Sequence, residues 1–450
     1  MLETYRNIFS RSGGKGGFIP EIEQQSLQAI KSYQEQQLVK QLDYLYEKSP
    51  YYRKLFLDYQ IKIEKIKTLE DLRNIPFTTK DDLQLNSQDM ICIDKSKIID
   101  YVTTSGTLGE PVTFALTNHD LERLAYCEYI SFCCADGTPN DIYQLITTID
   151  RRFMAGLAYF MGIRKMGAGV VRVGSGISEL QWDTIQRIQT NTLITVPSFI
   201  LKMLEYAEEN GIDFQNSSIK KAICIGESLR HPDFSLNTLG ERIREKWNIE
   251  LYSTYASTEM EGGFTECAQG IGGHHHPELL IAEFLDDNGM PVAEGEMGEL
   301  VITTLGVEGM PLLRFKTGDI CNYYSAPCKC GRTSMRLGPI IGRKKQMIKF
   351  KGTTLYPPAL FDILNNIKEV SNYLVEVYTN ELGTDEILLH IGCELPSDLL
   401  EKKIKDHFRA KLRVAPVIKF ESIEEVLKIQ FTEMNRKAIT FIDNRINKDE

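Results

Sequence analysis

Apolar positions recur at helical spacing between Glu21 and about Lys48. Leu27, Ile30, Leu38, Leu42 and Leu45 mark one face, which predicts an amphipathic helix that Ser49-Pro50 ends. Tyr51 to Leu57 reads as a second short helix, and Thr79-Lys80-Asp81-Asp82 starts another turn. The pattern then begins to alternate. A β-prone run covers Asp100 to Thr103, and short apolar runs cover Asp141–Thr148, Gly169–Val173, Thr192–Val196, Ile219–Ile225 and Ile249–Ser253. Helical stretches lie between them at His119–Cys134, Gly156–Met166, Glu179–Gln189, Ser198–Asn210 and Leu236–Trp247. Strands alternating with helices predict an α/β domain with largely parallel sheets. Chemistry then belongs in loops at the carboxyl ends of the strands. Three loops qualify: Thr103–Gly109, Gly226–Ser228 and Tyr255–Glu259.

From Leu279 the style changes. Leu279–Ala282 and Glu299–Thr303 are short strands between Asp/Gly/Pro turns, which predicts a β-rich subdomain over 279–340. Near Gly342-Arg343 it changes again, and the tail reads as helix 359–367, strands 372–378 and 386–393, helix 396–412 and strand 417–420. The expected architecture is α/β. A large N-terminal domain of mixed and parallel sheets covers 1–342, and a small, mobile α+β domain covers 343–450.

Composition narrows the class. The chain has 450 residues, too many for one ordinary core, with 42% hydrophobic and 25% charged residues. A formal net charge of -10 argues against a nucleic-acid binder. There is no uncharged apolar run long enough for a membrane span, and MLETYRNIFSRSGGKGG lacks the apolar core of a signal peptide. A cytoplasmic enzyme is the expectation. Ten cysteines in such a chain do not make a disulfide framework.

Candidate chemistry sits in a few stretches. Thr103, Thr104, Ser105, Gly106, Thr107 and Gly109 combine hydroxyls with flexible glycines, a composition that can form a nest for phosphate oxygens; no Gly-Lys-Ser/Thr follows, so it is not a Walker A loop. Glu259, after Tyr255, Ala256, Ser257 and Thr258, could hold Mg²⁺ beside phosphates. Asp319 follows Gly318 and could take ribose hydroxyls; its plainer reading is a turn cap. Lys437, taken alone, is a surface lysine. The acid-free basic run includes Arg343, Lys344, Lys345, Lys349 and Lys351, and could neutralise a phosphate-bearing ligand. Cys328-Lys329-Cys330, with Cys267 and one histidine of His274-His275-His276, would make a closed Cys₃His structural zinc set. His274 and His276 are the candidate histidines. Unmetallated cysteines are the plainer reading.

The order of these motifs resembles the adenylate-forming superfamily, and within it the phenylacetate–coenzyme A ligase family. The resemblance runs from Ser49-Pro50-Tyr51-Tyr52-Arg53 and Ile75-Pro76-Phe77-Thr78-Thr79-Lys80, through the Thr103–Gly109 loop, Gly226-Glu227, Tyr255–Glu259, Thr317-Gly318-Asp319 and Cys328–Arg332, to Gly342-Arg343 and Lys437. It implies activation of a carboxylic acid by ATP, then thioester formation with coenzyme A. On this numbering, Thr103–Gly109 would hold the triphosphate. Gly226, Glu227 and Ser228 would line the adenine pocket, with Tyr255 stacked near the base and Ala256, Ser257 and Thr258 beside it. Glu259 would bind Mg²⁺. Asp319 would hold the ribose, helped by Arg343. Lys437 would reach the acid carboxylate and the α-phosphate. Lys345 would be the hinge, and Lys349, Lys351 and Gly352 would face coenzyme A. The resemblance points to an arylacetic acid. Tyr143, Phe153, Tyr159 and Phe160 could line an apolar pocket for it; their plainer reading is core. It also implies a homodimer. Three positions depart from the family pattern: Glu110 stands where a lysine is usual, Arg436 where a glycine precedes the terminal lysine, and Lys345 where the hinge is often acidic. They leave open a different acyl acceptor, or a zinc-stabilised scaffold with a degenerate nucleotide site.

Overall fold

The computed structural model describes residues 18–104, 111–350, 353–380, 384–431 and 438–445. They fall into two compact units. The first takes residues up to Ser235 with Arg242–Thr317 and Cys321–Pro339; the second takes Leu236–Glu241, Gly318–Ile320 and the chain from Ile340.

The first unit is organised on a nine-stranded sheet. Five strands, Gly169–Arg172, Ile142–Leu145, Thr192–Thr195, Lys221–Cys224 and Glu250–Ser257, run parallel in that spatial order. Thr192–Thr195 and Lys221–Cys224 are buried along their whole length, as strands covered by helices on both faces must be. The strand Glu250–Ser257 then turns back on Gly262–Glu266 in an antiparallel hairpin. Antiparallel pairing continues through Gly273–His274, Arg336–Leu337 and Tyr323–Tyr324. The sheet is therefore mixed: parallel where helices cross over, antiparallel where the turns are short. Elsewhere in this unit Leu280–Leu285 pairs antiparallel with Gly298–Thr304.

Capping residues fix several helices. Ser26 starts Leu27–Lys48 by accepting the Ala29 amide, so the expected helix from Glu21 is instead a 3-10 turn, Glu21–Gln24, and then the cap. Thr117 and Asp120 form a capping box on Asn118–Cys134. Asp120 also accepts the amides of Glu308 and Gly309, and the fully buried Arg123 donates to the carbonyls of Leu305, Glu261 and Leu279. This helix thus holds two loops as well as the core.

The same helix carries Glu128 against Gly162, where an added Cβ would lie 2.4 Å from Glu128 Cβ. Burial pushes the Glu128 carboxyl up to about 8 from an ordinary 4.5. The folded chain keeps a proton there that the unfolded chain sheds, so stability falls as pH rises between those values. Glu128→Gln should remove that slope. Thermal melts should match the parent near pH 4.5 and exceed it by roughly 5 °C at pH 8.

The second unit is α+β. Strands Val417–Glu421, Asp385–Gly392, Asn372–Thr379 and Phe441–Asn444 form its sheet in that order. The helices Pro357–Asn365, Asp398–Leu412 and Ile423–Gln430 belong to the same unit. Its core gathers Ile348, Phe350, Leu360, Val375, Leu389, Ile404 and Phe408. The helix Ile423–Gln430 and the strand Phe441–Asn444 extend the fold expected from the apolar pattern.

Candidate functional site

The strands Asp100–Thr103 and Thr113–Leu116 pair antiparallel. The neck of this pair is closed from both sides: the Thr104 amide donates to the Val112 carbonyl at 3.0 Å, and the Val112 amide donates to Thr104 Oγ1 at 3.0 Å. Thr103 donates its amide to the carbonyl of Arg152. Arg151 and Arg152 are consecutive non-glycine residues in the left-handed region, φ 56° and 59°, a strain that tends to collect at working loops. Ser105, Gly106, Thr107, Gly109 and Glu110 lie outside the described residues, as do Lys351, Gly352, Arg436 and Lys437.

Beyond the strand Lys221–Cys224 the chain turns at Gly226, whose φ of 74° suits glycine. Glu227 has a use that sequence reasoning missed. Its carboxylate accepts the amide and hydroxyl of Ser198 at 2.9 and 2.8 Å, at the start of the helix Pro197–Glu209. A carboxylate there offsets the helix dipole. Ser228 donates its hydroxyl to the Arg230 carbonyl. The loop expected at Tyr255–Glu259 is shorter than its sequence suggests. Tyr255, Ala256 and Ser257 are still strand, and the turn is Thr258–Glu261. The Tyr255 ring lies 6.2 Å from Phe264, and Glu259 is partly exposed at the turn. Two residues on, Glu261 is fully buried, and burial raises its carboxyl far above the usual range.

In the second unit Asp319 and Arg343 face each other across the paired strands Phe315–Cys321 and Gly342–Arg343. Arg343 Nε lies 3.3 Å from Asp319 Oδ1. Lys345 is in the 3-10 turn Lys344–Gln346, and Lys349 in the strand Ile348–Phe350. Of the aromatic residues read as a pocket, Tyr143 and Tyr159 pack with Phe132 in a closed cluster, which is core.

The cysteine motif assembles a compact donor set. Cys267, His274, Cys328 and Cys330 place one ligand atom each within 4.8 Å of one another. Cys267 Sγ is 3.7 Å from Cys328 Sγ, and His274 Nε2 is 3.4 Å from both Cys267 Sγ and Cys330 Sγ. A tetrahedral zinc ion with bonds of ~2.0–2.3 Å spans ligand-to-ligand edges of about 3.4–3.8 Å. A disulfide would need ~2.05 Å between sulfurs. The spacing is that of ligands around a common centre. A shared hydrogen bond pulls the Cys330 thiol far down and pushes the Cys267 thiol far up, while burial lowers His274 and favours its neutral ring. Thiolate and neutral imidazole are the forms that ligate a metal.

The neighbouring histidines have other partners. His275 meets the Leu280 carbonyl at 2.7 Å. His276 lies 2.5 Å from Glu23 and 3.1 Å from Ser131. Glu23, from the 3-10 turn, also accepts from Arg332 at 2.7 Å, and its carbonyl accepts the Thr333 amide. All three of Glu23, His276 and Arg332 are buried. No sequence signal marked Glu23, because its partners lie about 250 and 310 residues away.

Among the described residues no helix is long and apolar enough to cross a membrane. Compared with known proteins, residues 24–309 match the family described as AMP-binding enzyme. A phenylacetate-coenzyme A ligase of Thermus thermophilus is 29% identical over 382 residues, 84% of each chain. An indoleacetate–lysine synthetase of Pseudomonas savastanoi is 30% identical over 156 residues, 34% of this chain and 35% of that one. The crystal structure of a 2-hydroxyisobutyryl-CoA ligase, in the postadenylation state with 2-HIB-AMP, superposes with a TM-score of 0.84 at 20% identity, covering 97% of this chain and 94% of the other. At that identity the likeness is one of fold.

Proposed function

Because the chain belongs to the AMP-binding enzyme family, within the adenylate-forming superfamily, we propose that it is an acid–thiol ligase. A small carboxylic acid attacks the α-phosphorus of ATP, the bond to pyrophosphate breaks, and an acyl-adenylate forms. The thiol of coenzyme A then attacks the acyl carbon, and AMP leaves with the bonding electron pair. The observation that carries this reading is the family match over 24–309. The candidate loops at the ends of Lys221–Cys224 and Glu250–Ser257 agree with it.

In this reading the loop Thr103–Gly109, on its closed hairpin neck, cradles the triphosphate. Gly226, Ser228, the strand end Tyr255–Ser257 and Thr258 of the following turn take the adenine side. Glu227 contributes by fixing the start of the helix Pro197–Glu209 through Ser198. Asp319, oriented by Arg343, holds the ribose. Glu259, a partly exposed carboxylate on a tight turn, is suited to hold Mg²⁺, which when bound neutralises phosphate charge. Lys437 opposes the negative charge that collects at the α-phosphate. The working division falls at Gly342-Arg343, with Lys345 as hinge and Lys349, Lys351 and Gly352 serving coenzyme A. Zinc in the Cys267, His274, Cys328, Cys330 set is structural, because four protein ligands leave no open position.

For the acid we favour an aryl acid of the phenylacetate kind, supported by the named activity of the Thermus thermophilus relative. A broader reading keeps the adenylation and changes the acceptor. The Pseudomonas savastanoi relative, named for joining indoleacetate to lysine, supports it. So does the absence of a lysine at Glu110.

Acid-dependent exchange of radiolabelled pyrophosphate into ATP, over a panel of aryl and short aliphatic acids, tests the adenylation. Exchange with at least one acid is expected; folded protein with none would favour the scaffold. Thioester yield with coenzyme A, against hydroxamate or amide yield with amines, separates the acceptors. Glu259→Gln should lower the exchange rate about a hundredfold with an unchanged melting temperature.

A further inference from the structure

The segment around Lys345 is bonded to a residue a hundred positions later. Arg445 follows the strand Phe441–Asn444, which pairs in parallel with Asn372–Thr379. Its Nη2 donates to the Lys345 carbonyl at 3.0 Å and its Nη1 to the Met347 carbonyl at 2.7 Å. Two carboxylates hold the same guanidinium. Nε donates to Asp443 Oδ1 at 2.8 Å, Nη2 to Asp443 Oδ2 at 2.5 Å, and Nη1 to Asp385 Oδ2 at 3.2 Å. Asp385 Oδ2 also accepts the Lys349 amide at 2.7 Å. Arginine suits the position because its N–H groups lie in one rigid plane and can bridge two carbonyls while facing two acids. Its side chain is only 17% exposed, so the paired acids are what make its burial tolerable. Immediately downstream, Ile348 and Phe350 are fully buried in the core of the second unit.

Resting on the reading that Lys345 is the hinge, we propose that Arg445 is a positioning residue that sets where the rotating body begins. The Lys345 carbonyl, the Met347 carbonyl and the Lys349 amide are all fixed to the second unit. The 345–346 peptide cannot turn without breaking a charge-assisted hydrogen bond. On the amino side of the Lys345 carbonyl a weaker backbone bond runs from the Met347 amide to the Lys344 carbonyl at 3.1 Å. Torsional freedom is greatest there, and the hairpin Ile348–Phe350/Thr353–Leu355, with Lys349, moves as one rigid piece. The strand Phe441–Asn444 keeps four residue pairs of its own with Asn372–Thr379. The chain on the Lys437 side therefore does not depend on Arg445. The clamp belongs to the thioester-forming step more than to adenylation.

The test uses the full-length protein with Arg445→Ala and Arg445→Lys. Hydrogen–deuterium exchange in the peptide spanning Met347 to Lys349 should quicken about tenfold in the alanine variant. With an acid that supports pyrophosphate exchange, adenylation should fall no more than about twofold, while thioester formation from preformed acyl-adenylate falls about tenfold or more. The lysine variant, which keeps the charge but cannot bridge both carbonyls, should shift the ratio of half-reactions in the same direction and covers the case of an alanine variant that does not fold. Unchanged amide exchange, or equal losses in both half-reactions, overturns the proposal. A parent protein that exchanges pyrophosphate with no acid would instead overturn the ligase reading. Amide exchange would then still decide whether Arg445 holds the segment.

Discussion

Lys437→Ala should lower acid-dependent pyrophosphate exchange by about a hundredfold to a thousandfold, while thioester formation from preformed acyl-adenylate stays within roughly threefold of the parent. The asymmetry follows from where charge develops. As the acid carboxylate attacks phosphorus, negative charge from two anionic partners gathers at one centre. A cation that reaches both helps most in the transition state, which is where an interaction must be stronger to accelerate the step. Attack by a thiol on the acyl carbon gathers no such charge at the phosphate. Lys437→Arg should recover only part of the loss, because a planar guanidinium fork does not stand in for a compact ammonium. Undiminished exchange in Lys437→Ala would end the assignment of Lys437, and equal loss in both half-reactions would point to a folding defect.

The second large effect concerns the cysteine cluster. Protein dialysed extensively should hold one tightly bound zinc per chain. Cys328→Ser or Cys330→Ser should lose it and melt roughly 10 °C lower. The size of the effect reflects position. The four ligands come from residues 267, 274, 328 and 330, so one ion would tie a strand end, a short strand and a distant turn. His276→Ala should keep its zinc, because His276 faces Glu23 and Ser131. Metal analysis and calorimetry of the same samples check both statements. Parent protein without zinc, melting together with the cysteine variants, would show that no ion ties these segments together.

What could be read from the sequence depended on how local its cause was. The alternation of apolar runs and helical stretches between Asp141 and Ser253 needs only neighbours within a turn or two, and the five parallel strands follow it closely. Cys328-Lys329-Cys330 was legible because two thiols two residues apart are rarely placed together without a reason. The choice among His274, His275 and His276 was not. It depends on the pairing of Gly273–His274 with Arg336–Leu337 and on Glu23 arriving to take His276. The strand Gly262–Glu266 was not marked by any apolar run. An added Cβ at Gly263 would come within 3.1 Å of the Tyr255 carbonyl, so the absent side chain permits a close pairing that composition alone does not announce. Glu227 illustrates the same limit at a single residue. Its loop position at a strand end suggested ligand contact; that its carboxylate also accepts from Ser198 is fixed only by tertiary structure.

Glu23 sets an order of events during synthesis. It is among the first described residues, and the arginine and threonine it binds lie 309 and 310 positions later. A ribosome making this chain must release about three-quarters of it before that carboxylate can leave water. Until then Glu23 lacks its arginine and its threonine, whatever the helices behind it have done. A nascent chain stalled short of Arg332 therefore remains an open species, exposed to proteases and chaperones.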